Sequence, residues 1–440
     1  MSLSFGTDGV RGEAYTQLTT DFVYALGVAA SRVLPGERFL IGRDTRESGV
    51  DFEQALAHGL SENGASIGLL GVVPTPAVAW LAAADSVPGA MISASHNPFH
   101  DNGIKLFAAG GLKLSDAVQD EIQTELDQLL AEGVTAPEGS GAWSDDTDQL
   151  PRWEEAVVQS LEGRSLSGVT VVLDCANGSN SAVAAPVFER LGARVIALST
   201  EPDGRNINAN CGSTHLEALQ AAVVEHGADL GFAFDGDADR VLAVDDQGQT
   251  VDGDQIIAMC ATDFAQLGQL DGDSVVVTVM SNLGFRRAMD AAGIAVVETG
   301  VGDRYVLEAL DDGGFALGGE QSGHVIFRKL ATTGDGLLTA VRVTDLAIRD
   351  GRSFGDIASA AMTRFPQVLE NVRVAERIED LHDRLGPAIR EVEAELSDQG
   401  RVLIRPSGTE PLIRVMVEAA TAEQAGESAK KLVAAVESLQ

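Results

Sequence analysis

The sequence predicts an α/β protein: three related units with mixed, mostly parallel sheets, followed by a smaller α+β domain. Three observations carry this expectation. Apolar strand-like runs alternate with stretches of helical spacing, the signature of α/β layers. A glycine-punctuated pattern recurs three times. After residue 362 the alternation changes character.

In chain order, the strand-like runs are FLIG (39–42), VVL (171–173) and SVVVTV (274–279). Helical spacing falls near 20–34, 48–62, 215–226 and 252–267. NGASIGLL (63–70), LGARVIAL (191–198) and AGIAVVET (292–299) each read as a helix-ending glycine followed by a strand. Three further runs open with glycine: GAMISAS (89–95), GFAFDGD (231–237) and GFALGGE (314–320). In register, Ser95, Asp237 and Glu320 share one offset, just past a strand end, where open α/β sheets bind ligands. The segments 134–150 and 245–254 read as linkers, giving domains 1–145, 146–247, 248–362 and 363–440. The last domain reads as a strand near 368–375, a helix near 377–396, strands near 401–405 and 412–418, and a helix near 421–438.

Composition narrows the function. A formal charge of −35 argues against nucleic acid and anionic membranes as partners. There is no run of eighteen apolar residues, and MSLSFGTDGVRG has no apolar signal core, so a cytoplasmic location is expected. Cys175, Cys211 and Cys260 lie far apart, which argues against a disulfide framework or a zinc site. The sequence leaves the oligomeric state open, a homodimer included.

Four loops carry chemistry. In AFDGDADRVLAV (233–244), Asp235, Asp237 and Asp239 alternate between apolar strands. A solvated turn accounts for one or two aspartates, but three so close repel one another unless a cation is present. Oxygen-only ligands suit magnesium or calcium. An EF-hand would need glycine and glutamate where Arg240 and Asp246 stand. In IRPSGTEPLIRVMVE (404–418), Arg405, Ser407, Gly408, Thr409 and Arg414 suit a phosphate nest around a tight turn; the alternative is a plain Pro-Ser-Gly turn between strands, against which Arg414 stands inside an otherwise mostly apolar strand. In GGEQSGHVIF (318–327), Glu320, Ser322 and His324 suit sugar hydroxyls. In GAMISASHNPFHDNGIKLF (89–107), Ser95 lies outside a G-x-S-x-G elbow, and because sequence neighbours seldom face each other, Ser95–His96 is not read as a dyad. Beside a divalent cation, however, a serine could carry a phosphoryl group.

These motifs, with FGTDGVRG (5–12), GRDTRESG (42–49), PTPAVA (74–79), DCANG (174–178), DGRNINANCGSTH (203–215), GDRYVLE (302–308) and TTGDGLLTA (332–340), run in order over essentially the whole chain. Together they resemble the α-D-phosphohexomutases, most closely the bacterial phosphoglucosamine mutases. The resemblance implies four domains around a central cleft and a phosphoserine at Ser95. Mg2+ would be held by Asp235, Asp237, Asp239 and the serine phosphate. Lys105 and Arg11 would lie near the transferred group, with Arg240 beside the metal loop. Glu320, Ser322 and His324 would hold the sugar. Arg405, Ser407, Gly408, Thr409 and Arg414 would hold a substrate phosphate. Lys105 and His324 are both candidates for the general base.

The implied substrate is a hexose phosphate, with a bisphosphorylated hexosamine as intermediate and activator. The implied reaction interconverts glucosamine 6-phosphate and glucosamine 1-phosphate, feeding UDP-N-acetylglucosamine and cell-wall precursors. Gln321 and NINANCGSTH fit the glucosamine branch, whereas Pro406 is familiar in the mannose/glucose branch. The rival readings are a phosphomannomutase or phosphoglucomutase, a magnesium-dependent sugar phosphatase, and a catalytically silent sensor.

Overall fold

The computed structural model describes all residues except 1–2, 7, 138, 140, 142, 375–377, 379, 407–411 and 440, and the side chain of residue 382. It forms two compact units, Met1–Met280 with Ile294–Ala361, and Ser281–Gly293 with Met362–Gln440.

The first unit holds three sheets. The first contains β1 (Val10–Glu13), β2 (Arg38–Arg43), β3 (Ser66–Val72), β4 (Gly89–Ile92), β5 (Asp101–Ala108), β6 (Leu112–Lys113) and β7 (Ser144–Asp145). The second contains β8 (Thr170–Asp174), β9 (Arg194–Leu198), β10 (Leu230–Phe234), β11 (Val241–Asp245) and β12 (Thr250–Val251). The third contains β13 (Ser274–Thr278), β14 (Ala295–Thr299), β15 (Leu317–Gly319) and β16 (Val325–Phe327).

One connectivity recurs in all three sheets, in the orders β3-β2-β4-β5, β9-β8-β10-β11 and β14-β13-β15-β16. The first three strands of each run are parallel, and the fourth folds back antiparallel. The expected repeat is therefore real, and its three fold-back loops carry Ser95, the aspartates and Glu320.

The third copy departs from the expected register. Gly314 is not a strand residue; it caps the helix Asp303–Gly313 in the left-handed region. Glu320 thus follows β15 directly, whereas Ser95 and Asp237 lie further past β4 and β10.

Helices form where the spacing indicates: Thr20–Val33, Gly49–Ser61, Glu217–His226 and Gly253–Gln266. The Thr19 hydroxyl accepts from the Phe22 amide, satisfying one orphan donor of the first helix. Neither expected linker is a free connection. Ser144–Asp145 adds an edge strand to the first sheet. Residues 245–252 form a hairpin turn, in which Asp245 accepts from the Gln247 and Gln249 amides. Asp252 then starts the next helix in a capping box with Gln255.

The second unit pairs β17 (Gln367–Arg373), β18 (Arg401–Pro406) and β19 (Leu412–Glu418) antiparallel, with β19 central. Helices Leu381–Leu396 and Ala422–Glu437 cover the sheet. Buried Glu418 pairs with Arg401 at 3.1 Å and accepts the Leu283 amide at 2.9 Å, fastening the segment Ser281–Gly293 to this sheet.

Candidate active site

Ser95 sits in the β4–β5 loop and is fully buried. Its φ of 54° is left-handed, a conformation that a non-glycine residue holds only when its surroundings enforce it. The enforcement is visible. Arg46, itself 1% exposed, donates to the carbonyls of Ser95 (3.0 Å), Asn97 (2.8 Å) and Asp101 (2.9 Å), and also to that of Pro98. Asp44 orients the guanidinium at 2.9 Å. The Ser93 hydroxyl donates to Asp44 at 2.6 Å and accepts the Ser95 amide at 2.9 Å. From the second repeat, Asn208 Nδ2 donates to the same Ser95 and Asn97 carbonyls at 2.9 and 3.0 Å.

The left-handed turn corrects one expectation. Ser95 Oγ lies 3.3 Å from His96 Nδ1, so these sequence neighbours do face each other. Arg240 Nη1 lies 3.3 Å from the same nitrogen. Burial first, then the charges of Arg240 and Arg11, push the His96 pKa down to about 4.

Ser95 Oγ donates to Asp235 Oδ2 at 2.6 Å, joining the serine loop to the aspartate loop. One carboxylate oxygen from each of Asp235, Asp237 and Asp239 lies within 4.8 Å of the others, and all three residues are buried. Two of the oxygens are held by protein. Asp237 Oδ2 accepts from Thr75 Oγ1 (2.6 Å) and Lys105 Nζ (2.7 Å), and Asp239 Oδ2 accepts from Lys105 (2.9 Å). Asp237 Oδ1 and Asp239 Oδ1 are buried without a hydrogen-bond partner among the described residues. Buried carboxylate oxygens without hydrogen-bond partners, within a cluster of like charge, are what a small oxygen-seeking cation satisfies, so the donor set fits Mg2+.

The charges interlock. Burial disfavours the Lys105 ammonium, but Asp237, Asp239 and Asp8 outweigh it and hold its pKa well above the ordinary value. Burial, with Asp239 and Asp237 alongside, pushes Asp235 well above the carboxylate range. Burial acts the same way on Asp239, but Lys105 and His324 overcome it and hold Asp239 low. Asp8 pairs with Arg11 (2.5 Å), Lys105 (2.9 Å) and Lys113 (2.6 Å), and Lys113 also pairs with Asp303. His324 is buried, with Nδ1 3.7 Å from Asp239 Oδ1, while its Nε2 accepts the Gly334 amide at 3.0 Å. The Arg240 amide donates to Asp235 Oδ1 at 3.2 Å.

Glu320 accepts the Gly302 amide at 3.2 Å, and exposed Ser322 lies 3.5 Å from its other oxygen. One cluster therefore gathers Ser95, Lys105, the three aspartates, Arg240 and His324, with Arg11 joined to it through Asp8. In the second unit, Arg405 and Arg414 stand directly opposite each other across β18 and β19. The predicted nest residues Ser407, Gly408 and Thr409 lie outside the described residues.

The sequence reading assigned no role to Asp8, Asp44, Arg46, Thr75, Lys113, Asn208 or Asp303. An aspartate and an arginine just past β2, in GRDTR, were the available signal for the brace. Thr75 and Asn208 lie in PTPAVA and DGRNINANCGSTH, but nothing in those motifs marks the partners they meet.

Among the described residues, no helix is long and apolar enough to cross a membrane. Comparison with known proteins bears on the whole chain. Four phosphoglucomutase/phosphomannomutase models match: alpha/beta/alpha domain I over residues 2–132, domain II over 152–248, domain III over 252–365 and the C-terminal domain over 369–435. The chain is 51% identical over 452 residues to a phosphoglucosamine mutase of Frankia alni, covering 99% of this chain and 98% of that one. It is 53% identical over 445 residues to a phosphoglucosamine mutase of Nocardioides sp., covering 98% of each. Among solved structures, a putative phosphomannomutase of Thermus thermophilus superposes with a TM-score of 0.79 at 23% identity, covering 99% of both chains. An Aspergillus fumigatus N-acetylphosphoglucosamine mutase, solved with GlcNAc-6P and magnesium, gives 0.71 at 19% identity, covering 100% of this chain and 96% of that one. At such identities, these two structures speak for the fold alone. With four domain models matched in order and half of its residues shared with full-length relatives, the chain belongs to the phosphoglucomutase/phosphomannomutase family.

Proposed function

We propose that the chain interconverts glucosamine 6-phosphate and glucosamine 1-phosphate, with Ser95 as the phosphoryl carrier. The contact between Ser95 Oγ and Asp235 at 2.6 Å, inside the buried aspartate loop, supports the reading most directly. Full-length identity near one half to phosphoglucosamine mutases supports the choice of sugar.

In the forward direction, a hydroxyl oxygen of the bound sugar phosphate attacks the phosphorus on Ser95. The bond from phosphorus to Oγ breaks, and a bond to the sugar oxygen forms. The resulting bisphosphate returns its other phosphoryl group to Oγ. Loose transition states of this kind need alignment and charge neutralisation more than covalent help. Magnesium held by Asp235, Asp237 and Asp239, with the Ser95 phosphate, would supply electrophilic neutralisation. Lys105 directs its ammonium at three carboxylates, Asp8, Asp237 and Asp239, and acts as fixed charge rather than base. His324 is the remaining candidate base: its Nδ1 faces Asp239, and its Nε2, which here accepts the Gly334 amide, would have to release that bond to take the sugar hydroxyl proton. Arg11 and Arg240 flank the transferred group, and Glu320 and Ser322 hold sugar hydroxyls. Like charges facing each other across a strand pair favour an anion between them, so Arg405 and Arg414, with Ser407, Gly408 and Thr409, hold the other phosphate.

The test compares turnover of glucosamine, glucose and mannose 6-phosphates with a matching bisphosphate activator. Preference for glucosamine 6-phosphate supports the proposal, and preference for mannose or glucose overturns the sugar assignment. Release of inorganic phosphate as fast as isomer formation would indicate a phosphatase instead.

A further inference from the structure

We infer that Thr75 is a positioning residue for cation binding: it holds one oxygen of the Asp237 carboxylate and leaves the other, which has no hydrogen-bond partner, for the cation. This inference rests on the proposed metal role of the three aspartates.

Thr75 opens the helix Thr75–Asp85, between Pro74 and Pro76, and is fully buried. It belongs to the first repeat, yet it makes two bonds to Asp237 in the second. Its amide, an orphan donor at a helix start, donates to the Asp237 carbonyl at 2.9 Å. Its hydroxyl donates to Asp237 Oδ2 at 2.6 Å. Backbone and side chain of the same aspartate are thereby held by one residue.

Rotating the Asp237 carboxylate would break the hydroxyl bond and the Lys105 contact together, because both converge on Oδ2. Oδ1 is the oxygen left without a partner. The positive end of an eleven-residue helix also favours a carboxylate there. Groups that grip the far side of a metal-binding carboxylate orient it, and their loss typically weakens metal affinity about 10- to 100-fold.

The experiment is calorimetric titration of Mg2+ into the metal-free full chain, without sugar phosphate, at one phosphorylation state verified by intact mass. Thr75→Val keeps the shape and removes the hydroxyl, Thr75→Ala removes more bulk, and Thr75→Ser restores the donor. The expected result is affinity about 10- to 100-fold weaker for Thr75→Val and Thr75→Ala, with Thr75→Ser close to wild type. Melting in chelator separates this effect from general destabilisation, and whichever of Thr75→Val and Thr75→Ala folds carries the comparison with Thr75→Ser. Wild-type affinity in the folded hydroxyl-free variant overturns the inference. So does a Thr75→Ser variant that binds as weakly as the others. If the wild-type chain itself binds no Mg2+, the metal role of the aspartates fails along with the inference, an outcome distinct from variants that match a binding wild type.

Discussion

Replacing Asn208 by glycine separates holding the serine loop from merely folding it. Asn208 has φ 57°, which glycine adopts freely, so the substitution removes the side chain without straining the backbone. Two hydrogen bonds vanish, those to the Ser95 and Asn97 carbonyls. Arg46 still donates to both carbonyls, so neither acceptor is stranded. At about 1 kcal/mol per bond, the loss of stability is about 2 kcal/mol.

The catalytic effect should be larger than this suggests. Ser95 keeps its left-handed turn because donors grip its carbonyl from two repeats, and with one grip gone the loop can relax. A displacement approaching 1 Å at a reacting group lowers turnover by up to about 100-fold. Asn208→Gly should therefore lower kcat about 10- to 100-fold, with KM little changed. Arg46→Met is the contrast. It leaves buried Asp44 without its cation and should cost about 3–5 kcal/mol. Steady-state kinetics and denaturant unfolding measure both variants. Wild-type kcat in Asn208→Gly, or a stability loss exceeding that of Arg46→Met, would refute the reasoning.

Two further outcomes follow from the buried charges. Lys105→Met leaves Asp8, Asp237 and Asp239 without their shared ammonium, so metal-free protein should lose about 3–5 kcal/mol, and Mg2+ should restore part of it; equal melting temperatures for variant and wild type in chelator would contradict this. Burial pushes Asp335 up to about 6, despite bonds from the Leu338 amide and Trp153. A carboxyl raised in the folded state favours folding below its unfolded pKa of about 4, and this advantage fades as pH rises through 6. Relative to Asp335→Asn, wild type should lose about 3 kcal/mol between pH 3 and 7, about 2 kcal/mol of it between pH 4 and 6, and change little above 7. A difference that stays flat across that window would contradict the assignment.

Most secondary structure is legible in the sequence because it rests on local signals: apolar periodicity, caps such as Thr19, and glycines such as Gly293 in the left-handed region. The aspartate loop and Ser95 are legible because their residue types are costly to bury without a purpose. Legibility stops where function depends on distant partners. Thr75 meets Asp237 across 162 positions, and Asn208 meets Ser95 across 113. His96 is misjudged because the rule that neighbours diverge assumes an ordinary backbone, and the left-handed turn at Ser95 breaks that assumption. The stretch 245–254 looks like a linker because a tight hairpin and a helix cap use the same polar residues as a loose connection.

Whether the buried hydroxyl of Ser95 stores phosphate can be measured directly. Unphosphorylated chain is incubated with radiolabelled glucosamine 1,6-bisphosphate and Mg2+, then digested and mapped by mass spectrometry. The expected result is label on the Ser95 peptide, approaching one phosphate per chain, and neither label nor mutase turnover in a folded Ser95→Ala variant. Label on another residue, or near-normal turnover in Ser95→Ala, would contradict the phosphoserine mechanism.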